Sequence, residues 1–545
     1  MRDNPLRSPS ARHMRTQVTI ITAPAPVRGA KTPGATAVII AALCSFPSAN
    51  AFAADSVGLT TTTPLTTVVI SGSSAYAAPQ LFGTYSPQLA RPITGESARA
   101  ILDSLADLYA RDGYVKPELV VDDRLAMRGV LRVQVYEAQV TNVIFEGDGG
   151  RFRDALDAIG ARLENARPLR RNDVPQALRD MRQIAGLAVT ANTRRDTRVR
   201  NAFELVVRAE FSPVDGVVRI NNRGTDQVGP AFLMGQMFVN GLLGRGEKIG
   251  LVFAAANDHE EYLGGGLYID APLGSNGARG NALLFRSRSA PNEAPVNLND
   301  EYTRERMTAG ISRPLRQDSK LTIVANGTFE ADDLTIDSNG LAFREDRLRI
   351  IDAGLRASWR SEAATQFSVN LHLRKGLDAF GAGLQGLDLP DDPRRSDFLV
   401  GLLQGTAYRR FAENWSARLD TFAQFTPHVL PDTERFKIGG DRLGRGFEVT
   451  EIAGDRGLGG KVELRRDLLN TETIVGRLSA YGFYDIGAAW KNDLPGRESA
   501  ATAGGGVSIS GSSLTGYLEV AAPLTGPDIE GNHRASVFAE LSYRF

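Results

Sequence analysis

From about Val217 to the final residue, Phe545, the chain keeps a two-residue rhythm, and this limits its folds more than any other feature. Phe367, Val369, Leu371 and Leu373 alternate with Ser368, Asn370 and His372, and residues 516–520 (GYLEV) alternate in the same way. Side chains of a strand point to opposite faces in turn, so such a segment has one apolar and one polar face. A soluble β-sandwich is the ordinary alternative, but about 330 alternating residues are too many for one sandwich. After the first sixty residues no run of 18 or more uninterrupted apolar residues occurs, so no helix is expected to cross a bilayer. Strands closed into a barrel are the other way to satisfy every backbone group in lipid.

Short turn-forming segments punctuate the rhythm near residues 244–248, 273–280, 315–320, 360–366, 412–415, 466–471 and 524–532. Seven such turns imply eight hairpins and sixteen antiparallel strands, about twenty residues for each strand with its connection. A spanning strand needs only about 9–11. The segments between turns, such as 287–302 and 377–395, are longer and more polar. Short turns on one side and long loops on the other are the asymmetry of outer-membrane barrels. In the last strand Val537, Ala539, Leu541, Tyr543 and Phe545 are assigned to lipid, and Glu540, Ser542 and Arg544 to the lumen. A terminal aromatic such as Phe545 resembles the signal by which such barrels are recognised during assembly.

The first 213 residues read differently. Arg28 and Lys31 precede an apolar run at 35–43 (ATAVIIAAL), then small residues in which Ala51-Phe52-Ala53 fits a signal-peptidase site. Residues 1–53 are therefore assigned to an export signal; a buried helix would explain the run but not the small residues after it. The basic stretch before Arg28 is long for such a signal, which leaves Met14 as an alternative start. Cys44 follows Leu43 where lipidation needs a small residue, so no lipid anchor is expected and the mature chain would hold no cysteine.

After a leading segment at 54–66, strand and helix patterns mix. TVVIS (67–71) is a strand. Ala98, Ile101, Leu102, Leu105, Leu108 and Tyr109 predict a helix over 97–111, ended by Asp112-Gly113. Strands follow at 115–121 and 129–137. The order then repeats: strand 140–146, helix 152–163, a second helix beginning at an Asn172 N-cap, and strands 187–193 and 203–211. Two α+β units, 67–138 and 139–213, precede a barrel at 214–545; one continuous α+β domain is the alternative.

Counting from the first strand, the sixth long loop is the richest in glycine and charge. It reads Ile438-Gly-Gly-Asp-Arg-Leu-Gly-Arg-Gly-Phe447, then Gly454-Asp-Arg-Gly457. The thirteenth strand carries Phe483-Tyr-Asp485-Ile-Gly487. Glycine lets the backbone beside an arginine approach a wall, and a lumen-facing carboxylate can take a bidentate ion pair. An ordinary solvated loop is the competing reading. A phosphate loop is excluded because no strand-to-helix context surrounds the glycines.

Together these features resemble the TpsB transporters of two-partner secretion, the haemolysin secretion/activation type within the BamA-like superfamily. By that resemblance the two α+β units are periplasmic POTRA domains. Gly444-Arg445-Gly446-Phe447 matches the family's sixth-loop motif, with glycine where the family has valine, and Phe483, Asp485 and Gly487 match its strand-13 motif. The resemblance implies that the loop folds into the barrel and that Arg445 pairs with Asp485. It also implies a secreted haemolysin- or adhesin-like exoprotein as partner, received on a POTRA edge such as 187–193 and threaded through the lumen as an extended chain. The remaining partners are outer-membrane lipid and the barrel-assembly machinery, and the barrel is expected to be monomeric. Many relatives carry a plug helix; with only 54–66 before the first strand, a plug is expected to be missing or vestigial.

With Lys+Arg and Asp+Glu equal at 63 each, nothing suggests a nucleic-acid or acidic-substrate binder. No metal-ligand spacing or cofactor motif occurs. His259, His372, His428 and His533 lack a paired nucleophile, so no enzyme is expected. A BamA-like assembly factor and a passive diffusion porin are the rival functions: the first usually has more POTRA units, and the second leaves about 160 residues without a task.

Overall fold

The computed structural model describes residues 60–545 apart from 226–227, 275–276, 292–299, 319, 362–363, 387–391, 472, 474 and 527–533. The assigned export signal, Cys44 and His533 lie outside the described residues. Among the described residues the chain divides into an α/β body, up to Ser212 with residues 244–246, and a barrel body made of Pro213–Leu243 and Glu247–Phe545.

The α/β body contains two three-stranded sheets. The first part comprises β1 (Thr60–Pro64), β2 (Thr67–Ser71), α1 (Ala78–Tyr85), β3 (Pro92–Thr94), α2 (Gly95–Arg111), β4 (Glu118–Asp122) and β5 (Val130–Tyr136). Its sheet runs β2-β5-β4, with β2 parallel to β5. Ile101, Leu102, Leu105 and Tyr109 on one face of α2 are essentially inaccessible and pack on Leu131 and Val133. Thr94 caps that helix: its Oγ1 accepts from the Ser97 amide at 3.1 Å, and the Ser97 hydroxyl accepts from the Thr94 amide at 2.9 Å. Residues 60–64, which the sequence leaves in a leading segment, pair with β3, and Leu65 joins the core. Helix α1 carries only two buried side chains, Leu81 and Thr84, too few to display a helical period.

The second part comprises β6 (Gln139–Gly147), α3 (Arg153–Glu164), α4 (Asp173–Arg182), β7 (Leu187–Asp196) and β8 (Ala202–Phe211). Its sheet runs β6-β8-β7, which leaves β7 on an edge. Asn172 does not cap α4 through its side chain. Its own backbone is already close to helical, and Asp173 instead accepts from the Arg170 amide at 2.7 Å. The two parts interlock: the Val115 amide donates to the Leu169 carbonyl at 2.9 Å, and Val115 is buried among side chains of the second core.

Sixteen spanning strands form the closed barrel. They are β9 (Val214–Asn221), β10 (Phe232–Asn240), β11 (Lys248–Ala256), β12 (Tyr262–Pro272), β13 (Arg279–Ser289), β14 (Asp300–Gln317), β15 (Leu321–Ser338), β16 (Leu341–Arg360), β17 (Thr365–Gly376), β19 (Leu399–Ala412), β20 (Trp415–Phe425), β23 (Arg456–Asn470), β24 (Arg477–Trp490), β25 (Glu498–Ser510), β26 (Leu514–Thr525) and β27 (Ser536–Arg544). A short β18 (Gly383–Gly386) extends the fifth loop along β16, while β21 (Phe436–Ile438) and β22 (Ile452–Gly454) form a hairpin within the sixth. The ring closes where β27 pairs with β9, from Glu540 against Asn221 to Arg544 against Val217. Leu371, Leu373, Leu518 and Leu541 are about half exposed on the outside, whereas Asp332, Asp420, Asp485 and Glu519 are buried inside. Lipid meets the outer face, so the apolar residues of each strand belong there.

Two turns differ from the sequence reading. β23 continues to Asn470, which moves the turn expected at 466–471 to 471–476. No short turn begins at 524, because β26 runs on to Thr525, and the seventh short turn is Gly511-Ser512-Ser513 between β25 and β26. Those three small residues lie between strands that are themselves rich in glycine and serine, so nothing marks them off. The first five turns, which number the sixth loop, are unaffected.

Candidate functional site

Residues two apart on a strand share a face, so β24 presents Ser479, Tyr481, Phe483, Asp485, Gly487 and Ala489 to the lumen, all buried. Between β20 and β23 the sixth loop enters this space. Gly439, at φ +124°, turns the chain where a Cβ would collide with the Glu448 carbonyl. The turn is tied by the Gly439 amide to the Leu443 carbonyl at 2.8 Å and by the Gly440 amide to the Phe447 carbonyl at 3.1 Å. Gly444 follows at φ +88°, a left-handed conformation that glycine adopts without strain. This geometry aims the successive amides of Gly444 and Arg445 at one Asp485 oxygen, each at 3.2 Å.

The Arg445 guanidinium completes the grip on Asp485. Nη2 lies 2.9 Å from Oδ1 and Nε 3.1 Å from Oδ2, a bidentate pair. Its Cζ stands 3.5 Å from the centroid of the Phe483 ring. Gly487 clears room for the loop: a Cβ there would come within 2.9 Å of Ile438 and 3.0 Å of Leu443. Phe483, Asp485 and Gly487 therefore supply a platform, a partner and a space on one face of one strand. Gly446 passes close to β26, where a Cβ would lie 3.0 Å from the Pro523 nitrogen, and Phe447 packs at the edge of the apolar cluster that holds the loop. That cluster joins Phe436, Ile438, Leu443 and Ile452 of the loop to Phe422, Ala489 and Ala500 of the wall.

The site is larger than its motifs. Arg445 Nη1 also reaches Glu463 at 3.3 Å and Glu519 at 3.2 Å. Glu463 takes Arg465 at 2.8 Å; Glu519 takes Arg223 at 2.6 Å and the Tyr481 hydroxyl at 3.0 Å. Three carboxylates thus face three guanidiniums, the balance that buried charges require. Sequence reasoning missed Glu463, Glu519, Arg223 and Arg465, although strand register carries a signal for two of them. Glu463 sits opposite Phe483, and Glu519 opposite Gly506, which faces Tyr481.

Other expected residues lie elsewhere. The Phe545 ring stacks on Tyr543 with centroids 6.3 Å apart and lies over Gly216, with which Phe545 exchanges two backbone hydrogen bonds of 3.1 Å. His372 Nδ1 is 2.8 Å from Asp352, which also binds Arg374, and the His428 ring accepts from the Leu399 amide at 3.1 Å. Edge strand β7 is not bare: Arg182 of α4 donates to the Val189 carbonyl at 3.0 and 3.2 Å.

The family model described as haemolysin secretion/activation protein ShlB/FhaC/HecB matches residues 205–511, more than half of the chain. This chain belongs to that family. Among curated relatives of this ShlB/FhaC/HecB member, the outer membrane transporter CdiB of Escherichia coli is 22% identical over 510 residues, covering 88% of this chain and 82% of the relative. The solved structure of CdiB from Escherichia coli superposes with a TM-score of 0.74 at 19% identity, covering 88% of this chain and 90% of that one. The crystal structure of BamA from Haemophilus ducreyi lacking POTRA domains 1–3 gives a TM-score of 0.51 at 12% identity, covering 88% and 99%, a likeness of fold alone. The protein is an outer-membrane transporter of two-partner secretion, with its α/β body in the periplasm.

Proposed function

We propose that this ShlB/FhaC/HecB transporter exports a haemolysin- or adhesin-like exoprotein, and that Arg445 holds the sixth loop inside the lumen between transport events. The Arg445–Asp485 pair supports this most directly, because it joins the loop motif to the strand-13 motif within 2.9 Å in a buried setting. In this reading residues 1–53 are an export signal and 54–66 a leading segment. Residues 67–138 and 139–213 are two POTRA domains that receive the unfolded partner, and Phe545 directs the barrel-assembly machinery. A client strand adding to β7 would take over the edge that Arg182 now covers at Val189. The client then passes outward as an extended chain; no nucleotide, metal or other cofactor takes part, and one barrel in outer-membrane lipid suffices.

Arg445→Ala tests the reading. Removing one partner of a buried pair leaves an uncompensated charge, a cost of about 3–5 kcal/mol. The variant should still assemble, shown by heat-modifiable migration, while secretion of its partner exoprotein falls at least tenfold. Secretion at the wild-type level would end the proposal.

A further inference from the structure

The sixth loop is held at its root as well as at its tip, by the carboxylate of the Gly454-Asp-Arg-Gly457 segment. Asp455 is fully buried where the loop rejoins the wall. Its Oδ1 accepts from the Leu430 amide on the outgoing arm at 2.8 Å, and its Oδ2 accepts from the Asn492 amide of the seventh loop at 2.7 Å. Asn492 in turn donates to the carbonyls of Thr426 and His428 at 3.1 and 2.7 Å. Gln424, at the end of β20, donates to the carbonyls of Glu434 and Asp455 at 2.8 and 2.9 Å. Arg435 Nε lies 3.7 Å from the carboxylate. Both arms of the sixth loop and the first residues of the seventh therefore converge on one carboxylate.

We infer that Asp455 is a positioning residue that sets the angle at which the sixth loop enters the lumen and so brings Arg445 within reach of Asp485. The chemistry suits a carboxylate: two backbone amides arrive from different segments, and both need an acceptor. An amide side chain would turn an NH2 donor onto one of them. Between root and tip the arms are joined as the β21–β22 hairpin, Phe436 against Gly454 and Ile438 against Ile452, so a tilt at Asp455 is carried to residue 445. The bidentate fit at Asp485 tolerates little displacement, because hydrogen bonds weaken steeply with distance and angle. Asp455 touches neither client nor Arg445; it acts through the loop.

The inference rests on the reading that Arg445 docks the loop, and the test separates the two. Intact cells carrying the full-length protein are treated with trypsin, and cleavage after Arg442, which lies against Phe422 beside the tip, is followed by mass spectrometry. Purified protein in planar bilayers gives pore conductance as a second readout. Asp455→Asn should raise the Arg442 cleavage rate and the open-pore frequency at least tenfold, as should Arg445→Ala. If Asp455 acts only by placing Arg445, the double variant is no more sensitive than either single one. Multiplied effects would overturn the inference, as would wild-type protection in Asp455→Asn beside a sensitive Arg445→Ala. Wild-type protection in Arg445→Ala would instead sink the docking reading. Should Asp455→Asn fail to assemble, Gln424→Ala with Asn492→Ala removes the side-chain bonds at the same root while leaving the Asp455 carboxylate in place, and the same outcomes apply.

Discussion

The α/β body and the barrel use the same residue types in opposite places. In the α/β body Ile101, Leu105, Leu131, Leu156 and Leu205 are essentially inaccessible, gathered into two apolar cores. In the barrel Leu371, Leu373, Leu518 and Leu541 stand outward at about half exposure, while Asp485, Thr502 and Glu519 are sealed inside. Placement follows the solvent on each side: water drives leucine inward in the first body, and lipid accepts it on the outside of the second. The barrel then needs another way to fill its lumen. It uses an apolar cluster carried by the sixth loop and a set of ion pairs that cancel one another's charge.

A single type of substitution can break this comparison. Leu205→Arg buries an unpaired cation in the second α/β core and is expected to cost more than about 4 kcal/mol. Pulse proteolysis of the detergent-solubilised protein should show 67–213 digested while the barrel fragment stays intact. Leu371→Arg changes the lipid face instead, and a cation near the bilayer midplane costs about 2–4 kcal/mol in a barrel. Its midpoint for unfolding from lipid vesicles in guanidinium should fall, with the α/β body still protected. If Leu371→Arg proved as harmless as an exposed surface change, within about 0.5 kcal/mol, the outward face of β17 would not be lipid-facing.

How far the sequence anticipates this structure depends on the length of the pattern. β2 has the expected bounds, 67–71, because its β-branched run is unbroken, and α2 the expected face because its apolar positions keep a helical period. The sixth loop and strand 13 were identifiable because glycine and charge are concentrated there. Short or uniform segments were not. Helix α1 shows no period, and the Gly-Ser-Ser turn at 511–513 is hidden among small residues. Glu463, Glu519 and Arg223 belong to no local motif. Arg223 and Glu519 are 296 positions apart, and their meeting depends on barrel closure, which a linear reading cannot supply.

The smallest expected effect comes from the same kind of ion pair in the other body. Asp196, at the end of β7, accepts from the Arg198 side chain and backbone at 3.0 Å and from Thr141 at 2.9 Å. The Arg198 guanidinium holds the Asp196 carboxyl well below the usual carboxylate range, with the Arg198 amide and Thr141 acting in the same direction. The Arg198 side chain is 73% exposed where that of Arg445 is 7%, so water and salt screen this pair and its contribution is modest. A folded-state value depressed below the unfolded one, about 3.9, stabilises the fold at pH values above it. That contribution is lost as the pH falls through the carboxylate range. Asp196→Asn should therefore be slightly more susceptible to pulse proteolysis of the α/β body at pH 7, with the gap closing in acid and narrowing in 1 M salt. A gap of equal size at both pH values would mean that hydrogen bonding, not charge, is what Asp196 contributes, and the contrast with the shielded Arg445 pair would fail at that point.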